Sequence, residues 1–193
     1  MSAALKLQEI KIDPLHKMKE LLGCDINLTS QDIYQYNFPN YEKNDILVKD
    51  MHMKIKDYDM QTQSGNYLAE GSILLSEITS FPELDWEHMP GSILMVLITQ
   101  IGKTIHNVCS DINGVGLTHV NGSIRRAVPL KHITFRFDGR IYLKMGSVWC
   151  KSKNQFLHED RKFAEFETLS CGISRDYSSV TEKRSAQKQS IPS

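Results

Sequence analysis

A histidine, His88, immediately precedes the motif Met89-Pro90-Gly91, whose Pro-Gly pair can start a helix. The first N–H groups of a helix lack intrahelical partners, and the helix dipole places partial positive charge on them. Glycine also lets a ligand approach the backbone closely. The Gly91 N–H is therefore a candidate to hold a thioester carbonyl and to stabilise the negative charge that develops on its oxygen. The alternative is that Pro-Gly simply starts a buried helix.

Three carboxylates lie in the loop just before this helix start: Glu83, Asp85 and Glu87. A histidine beside a carboxylate is a typical general acid–base pair. We take His88 as the candidate base and one of the three acids as its partner. The alternative is a solvated loop whose histidine hydrogen-bonds to the backbone.

The elements around these residues can be read from hydrophobic periodicity. The segment from Gly91 to Cys109 is predicted to be a helix that is apolar nearly all round, which is typical of a buried helix. Upstream, Asp13-Pro14 predicts a helix that ends at Gly23, and Thr29 or Ser30 predicts a second helix that Pro39 stops.

The remaining segments alternate as strands do. Strands are predicted from Asp45, over Asn66 to Ile78 with a bulge at Gly71, and near Gly114–Asn121, His132–Leu143, Gly146–Lys151 and Arg161–Ser170. Asp138-Gly139 offers a hairpin as an alternative within the second of the later strands.

One helix that is apolar on every side needs a layer wrapped around it, and a long antiparallel sheet supplies that layer. The predicted fold class is therefore α+β, in the hot-dog arrangement. Open sheet edges predict a homodimer or a higher homo-oligomer. Residues 1–29 are predicted to form a helical extension, residues 30–172 the hot-dog domain, and residues 173–193 a disordered tail rich in Ser, Lys, Gln and Arg.

Composition excludes several classes of protein. The 193 residues carry 23 Lys and Arg against 23 Asp and Glu, so a nucleic-acid partner is not expected. A hydrophobic fraction of 40% excludes wholesale disorder. The longest apolar run is Ile93 to Ile98, too short for a membrane span, and the first residues do not resemble a signal peptide, so cytoplasmic residence is expected.

The sequence contains no motif that is typical of a metal site or of a redox cofactor. Cys24, Cys109, Cys150 and Cys171 form no Cys-x-x-Cys pair and are predicted to be free thiols. His106 and His119 have no ligand spacing around them, so no metal is expected. No glycine group has the dinucleotide-binding pattern.

Two segments carry a family resemblance, with a weaker match between Asp32 and Asp50. The run from His88 to Gly102, with Met89-Pro90-Gly91 and Gln100 at matching spacing, resembles the central-helix motif of bacterial β-hydroxyacyl-ACP dehydratases. The segment Ser123 to Pro129 is similar to that family's Lys-Phe-Arg-Arg-Pro-Val-Val-Pro stretch. The resemblance implies a hot-dog fold and 3-hydroxyacyl thioester dehydration in fatty-acid or polyketide-type metabolism. It also implies that the Gly91 N–H holds the thioester carbonyl.

Both catalytic positions of that family are altered in this chain. The helix acid falls at Val96, and the loop histidine falls at Ser80, Glu83 or Asp85, depending on the gap. Three readings stay open. The first is a catalytic pair rebuilt from His88 and one of the loop acids. The second is a thioesterase that activates water with Glu77, Glu83, Asp85 or Glu87. The third reading is a non-catalytic acyl-thioester-binding subunit.

Further contacts are predicted at both ends of the site. Arg125 and Arg126, helped by Lys131 and His132, are candidates to bind the phosphate of a phosphopantetheine arm; the alternative is a pair of solvent-facing charges. Gln100 is a candidate substrate-binding residue or a buried amide that braces the neighbouring loop. The expected partner is an acyl carrier protein or a CoA thioester, and no separate cofactor is expected.

Overall fold

The computed structural model describes residues 13–73, 88–110 and 112–174. Its helices are α1 (His16–Glu20), α2 (Ser30–Asn37) and α3 (Gly91–Cys109), with one 3-10 turn at Lys43–Asp45. Its strands are β1 (Asp25–Thr29), β2 (Val48–Ile55), β3 (Ser64–Ile73), β4 (Ile112–Ile124), β5 (Ile133–Lys144), β6 (Ser147–His158) and β7 (Arg161–Ser174).

The seven strands form one antiparallel sheet in the order β1-β2-β3-β5-β6-β7-β4. Helix α3 contributes more buried residues than either other helix and contacts β2, β4 and β6. The predicted hot-dog arrangement, a long antiparallel sheet with one central helix, is confirmed. Strands β1 and β4 are the two edges of the sheet, and β4 comes directly after α3 in the chain.

The core lies between α3 and the inner face of the sheet. On β5, alternate side chains point inward because successive residues of a strand face opposite sides. Phe137 packs edge to face against Phe156 of β6, with ring centroids 5.9 Å apart. Burial of each such side chain stabilises the fold by about 1.5–3 kcal/mol. The buried residues that α3 and β5 contribute include Leu94, Leu97, Ile101, Ile105, Ile133, Phe135, Phe137 and Ile141.

Helix α3 is the one helix among the described residues that is long and apolar enough to cross a membrane. Its mean hydropathy is 1.2, and 67% of the apolar window is buried inside the fold. That degree of burial is typical of the core helix of a globular domain.

Helix α2 is hydrogen-bonded to one side of α3. The Thr29 side chain and the Asp32 carboxylate cap the start of α2 reciprocally, as a capping box does. At its other end the Asn37 side chain donates to Thr104 Oγ1 at 3.0 Å, and the buried Lys103 ammonium donates to the Asn37 carbonyl at 3.0 Å. Burial lowers the pKa of Lys103. These bonds fix α3 against α2.

Three details of the predicted fold are corrected. The first 29 residues do not form a purely helical extension, because Asp25–Thr29 is β1 of the sheet. The irregular register lies between Val48 and Asp50 of β2 rather than at Gly71. No hairpin forms at Asp138-Gly139, because β5 runs through both residues and pairs with β3 and β6 throughout.

The other predicted elements are present where the structure describes them, with different ends: α1 is only His16–Glu20, β2 begins at Val48 after a 3-10 turn, and β6 continues to His158. Helix α3 has the predicted bounds, and α2 begins after Thr29 and ends before Pro39. The predicted continuation of β3 to Ile78 and the predicted tail beyond Ser174 lie outside the described residues.

Candidate functional site

The start of α3 is open to solvent at Gly91. Pro90 is the N-cap residue in an extended conformation, and no side chain within the described residues caps the helix. Gly91 and Ser92 are both exposed. The first N–H groups of α3 therefore have no intrahelical partner and carry the positive end of the helix dipole. This geometry suits a carbonyl oxygen that gains negative charge.

The chain segment after β4 runs beside this helix start. The Met89 N–H donates to the Val128 carbonyl at 2.8 Å. A Cβ placed on Gly91 would lie 3.3 Å from Ile124 Cδ1, so the last residue of β4 borders the helix start. The structure thus brings the Met89-Pro90-Gly91 motif and the segment 124–128 to one end of the molecule.

Arg125 and Arg126 belong to that segment, and both are exposed. The Arg125 N–H donates to the Phe163 carbonyl at 2.7 Å, which fixes its backbone next to β7. Arg126 Nη2 makes a long contact of 3.5 Å to the Arg161 carbonyl. Both residues therefore lie in the segment that borders the start of α3. Lys131 and His132 are exposed as well.

The predicted acid–base residues divide into two groups. His88 is exposed and lies just before the helix start, as its position in the sequence requires. Glu77, Ser80, Glu83, Asp85 and Glu87 lie outside the described residues. The pairing of His88 with a loop carboxylate remains a prediction.

Along α3, Val96 stands at the acid position of the family that the motif resembles, and valine transfers no proton. Val96 is half-buried, as are Met95 and Thr99. The Thr99 hydroxyl donates to the Met95 carbonyl at 2.9 Å, which occupies its hydrogen. The wall that α3 offers beyond Gly91 is thus mainly apolar.

Gln100 is buried, and its amide binds the backbone that leads into β2. Its Oε1 accepts from the Leu47 N–H at 3.0 Å, and its Nε2 donates to the Asp45 carbonyl at 2.7 Å. Both ends of the amide are therefore used within the fold, as the bracing role requires. The substrate-binding role predicted for Gln100 would compete with these bonds.

Replacing Gln100 with leucine should destabilise the fold by about 2–4 kcal/mol, because two buried backbone groups lose their partners. Chemical denaturation measures the free energy of unfolding directly. Gln100→Glu is the matched variant: it keeps the acceptor for Leu47 and loses the donor to Asp45. If Gln100→Leu has wild-type stability, the amide does not brace this segment.

A narrow cleft lies between α3 and the edge strand β4 and reaches under the helix to the middle of the sheet. Thr99 and Gly102 line it on the helix side, and Val115 and Leu117 on the strand side. The enclosed space is about 20 Å³, enough for one water molecule. Ile98 and Lys103 of the helix line it too, and the other strands of the sheet contribute Tyr67, Phe137, Cys150, Ser152, Thr168 and Ser170.

The polar floor of this cleft was not predicted. Ser152 and Thr168 hydroxyls lie 2.8 Å apart, and both contact the amide of the fully buried Asn154. The sequence does hold a signal for it. Ser152 and Asn154 occupy inward positions of β6 between Cys150 and Phe156, where an apolar core would have apolar residues.

A second polar chain lies beside the first. His106 Nε2 lies 2.8 Å from Ser170 Oγ, and the Tyr67 hydroxyl lies 3.1 Å from Cys150 Sγ. Burial lowers the pKa of His106 to about 4 and raises the pKa of Cys150 to about 12. At neutral pH the imidazole is therefore uncharged and the Cys150 thiol protonated, so Cys150 is no nucleophile.

The four cysteines are free thiols, as predicted, with Cys109 and Cys150 buried. Within the described residues, no group of three or more His, Cys, Asp and Glu side chains could hold a metal ion.

The outer face of the sheet holds a larger depression of about 700 Å³. Arg136 lies 3.1 Å from Glu70 in this depression, and His52 Nδ1 lies 2.9 Å from Asn27 Oδ1. The depression borders the start of α2 at Thr29, but that helix start is capped by the Thr29 and Asp32 side chains. We therefore place the candidate acyl site at the start of α3, which no described side chain caps.

Comparison with protein-family models and with curated protein sequences returns no match. Solved structures do share the arrangement. A mutant thioesterase from Pseudomonas aeruginosa is 14% identical with a TM-score of 0.43, covering 74% of this chain and 94% of its own. A hypothetical thioesterase with coenzyme A from Streptococcus pneumoniae is 11% identical with a TM-score of 0.39, covering 63% and 86%. A thioesterase from Haemophilus influenzae is 14% identical with a TM-score of 0.41, covering 63% and 78%. At these values no activity is carried over to this chain.

Proposed function

We propose that this protein binds acyl thioesters at the start of α3 and hydrolyses them. The observation that carries the proposal is the exposed Gly91 at a helix start that no described side chain caps, beside half-buried Met95 and Val96. The thioester carbonyl oxygen accepts a hydrogen bond from the Gly91 N–H. The acyl chain then lies along α3, in contact with Met95 and Val96.

Hydrolysis fits the residues better than dehydration does. Dehydration needs a base for the C2 proton and an acid for the leaving hydroxyl. Val96 stands where the related dehydratases have the acid, and valine transfers no proton. Hydrolysis needs carbonyl polarisation and one base that activates water.

We assign the water-activating role to a loop carboxylate, Glu83, Asp85 or Glu87. The carboxylate takes a proton as the water oxygen bonds to the carbonyl carbon. The oxyanion is stabilised by the Gly91 N–H and the helix dipole. The carbon–sulfur bond then breaks, the proton passes to the leaving thiolate, and a free acid and a thiol are released.

Arg125 and Arg126 are proposed to bind the phosphate of the phosphopantetheine carrier, because their segment borders the helix start and both side chains are exposed. The carrier is coenzyme A or an acyl carrier protein. We further propose that the protein is a cytoplasmic homodimer, since both β1 and β4 leave an edge of the sheet open.

His88 favours dehydration as the second candidate, because an exposed imidazole beside the helix start is placed to act as a base. One experiment separates the candidates. The protein is incubated with a saturated acyl-CoA, a 3-hydroxyacyl-CoA and the same groups on an acyl carrier protein. The mass of each product is then measured by intact-mass spectrometry.

Loss of the whole acyl group, with release of a free thiol, is the expected result. Loss of one water from the 3-hydroxyacyl substrate alone would replace hydrolysis with dehydration and make His88 its base. No mass change on any carrier, with thioester binding retained, would overturn both activities in favour of a non-catalytic acyl-binding subunit.

A further inference from the structure

Two hairpin tips lie side by side at one end of the sheet. The first is the loop 60–63 between β2 and β3, which the Asp59–Ser64 bridge closes. The second is the two-residue turn Met145-Gly146 between β5 and β6. The tips are neighbours because β3 pairs with β5, and the Leu143 N–H donates to the Gln63 carbonyl at 3.0 Å.

The tips lie far from the start of α3. Strand β4 runs from one end of the sheet to the other, with Ile124 beside Gly91 and Ile112 paired with Ser174 of β7. The residue before Ser174 pairs with Ser147, which directly follows the Met145-Gly146 turn. Strand β4 has 13 residues, so its two ends are about 40 Å apart at about 3.3 Å per residue. A ligand at the tips therefore does not belong to the proposed acyl site.

Each tip presents a methionine to solvent. The Met145 side chain is 91% exposed and that of Met60 is 62% exposed. Met145 and Gly146 have φ values of 52 and 74, which is the pattern of a type I′ turn, where Asn-Gly and Asp-Gly are favoured. Methionine thus stands where a short polar residue would suit both the backbone and the solvent. Such a local conflict indicates that a partner takes up the side chain.

Cations without a carboxylate partner lie beside the tips. On the outer face of the sheet, Arg140 of β5 stands directly opposite Lys151 of β6, and like charges in this arrangement disfavour strand pairing. Arg140 donates to Ser64 Oγ at 2.7 Å. Among the described residues, neither cation has a carboxylate oxygen within 4.0 Å, and the same holds for the exposed Lys144.

The acids and cations around this cluster are otherwise engaged. The Asp59 carboxylate accepts from the Gln61 N–H and from the Thr62 hydroxyl, each at 2.8 Å, within its own loop. Farther from the tips, the outward cations of β5 and β6 are paired: Arg136 lies 3.1 Å from Glu70 and Lys153 lies 3.4 Å from Glu165. The unpaired cations of these two strands are thus the ones nearest the tips.

Arg140 and Lys151 line a depression of about 410 Å³. Thr62, Tyr142 and Leu143 complete its lining, so it lies directly beside both tips. Half-buried Tyr142 stands opposite half-buried Trp149 on the same outer face. Tyrosine and tryptophan rings beside cations and exposed apolar tips are typical of the boundary between lipid headgroups and acyl chains.

We propose that the two hairpin tips dock this protein on an anionic lipid surface. Met60 and Met145 enter the boundary between headgroups and acyl chains, and the cations Arg140, Lys144 and Lys151 bind the lipid phosphates. A soluble anion would use the cations and leave both methionines in water. A second copy of the chain, docked tip to tip, would bring like charges together. The lipid surface satisfies both the apolar and the cationic groups.

The test is flotation of the full chain with vesicles of phosphatidylcholine alone or with phosphatidylglycerol added. The protein should float with the anionic vesicles, bind the neutral ones far more weakly, and dissociate as the salt concentration rises. Absence of binding to the anionic vesicles would overturn the inference. The proposed hydrolysis does not enter this measurement, so either proposal can fail while the other stands.

Met145→Asn separates docking from folding. Asparagine suits the first position of this turn, so the variant should unfold at the wild-type temperature or above it. Its affinity for anionic vesicles should nevertheless fall about tenfold, because an apolar side chain no longer leaves water. Wild-type affinity in Met145→Asn would overturn the role of the tip. A change of oligomeric state without vesicles would show instead that the tip contacts a second copy.

Lys151→Gln tests the cations, with Lys153→Gln as its matched control. Both lysines lie on the outer face of β6, two residues apart, and Lys153 is the one paired with Glu165. Lys151→Gln should weaken binding to anionic vesicles about fivefold, and Lys153→Gln should not. Equal effects would mean that net charge, not this cluster, attracts the protein. Calorimetric binding of inorganic phosphate that requires Lys151, without vesicle binding, would replace the lipid surface with a free anion.

Discussion

Gly91→Pro should lower kcat/KM for thioester hydrolysis by about 100- to 1,000-fold, the usual cost of losing one oxyanion donor. Proline removes the backbone N–H that is proposed to bind the thioester oxygen. The backbone accepts this change, because proline is favoured at the first helical position. Pro90 is already in the extended conformation, at φ −78 and ψ 149, which a residue before proline requires. Steady-state thiol release measures the loss.

Gly91→Ala is the matched control, since it adds a Cβ near Ile124 and keeps the N–H. It should retain most of the activity, and both variants should unfold within a few degrees of the wild type. If Gly91→Pro and Gly91→Ala lose activity equally, the cause is the added carbon and not the lost donor. If Gly91→Pro is fully active, the helix start does not bind the reacting carbonyl.

Acidification should destabilise the protein through His106 by about 3 kcal/mol between pH 6.5 and pH 4. Burial lowers the pKa of His106 from 6.5 in the unfolded chain to about 4 in the fold. Between pH 6.5 and pH 4 the imidazole of His106 is protonated in the unfolded chain and stays neutral in the folded protein. The stabilisation is therefore complete above pH 6.5 and is lost as the pH falls to 4. Urea unfolding at a series of pH values measures the effect.

His106→Gln isolates this contribution, because glutamine can still hydrogen-bond to Ser170 and does not titrate. Asp32 and Glu165, whose pKa values are lowered by hydrogen bonds, also lose stabilising contacts in acid. Because the wild type and His106→Gln both have these carboxylates, their contribution cancels in the comparison. The free energy of unfolding should fall less steeply with acid in His106→Gln. Parallel curves would mean that His106 keeps an ordinary pKa in the fold.

Local signals predicted the helices well. Pro90-Gly91 and the capping residue Thr29 are short-range features, so the starts of α3 and α2 could be read from the chain itself. Strand β1 carries a weaker signal. Its residues Asp25–Thr29 alternate polar and apolar, but the run is only five residues long, has two apolar members and is followed at once by the start of α2. It is a strand because β2 offers an edge for pairing.

Some residues of the candidate site could likewise be predicted from the sequence, and others could not. Gly91 and Arg125 could be proposed from motifs, since each motif is contiguous in sequence. The ring of Ser152, Asn154 and Thr168 depends on the register between β6 and β7, in which Ser152 faces Thr168. That pairing is a property of the folded sheet, and no local pattern in either strand specifies it.

The bonds between α3 and α2 make helix α3 and the edge strand β4 unequal in stiffness. Asn37, Lys103 and Thr104 hold the helix through buried hydrogen bonds. Strand β4 pairs with only one neighbour, and its register is irregular near Ile112 and near Leu117. The helix is therefore the more rigid of the two, and any separation of α3 from β4 falls to the edge strand. Hydrogen exchange should consequently be faster in β4 than in α3.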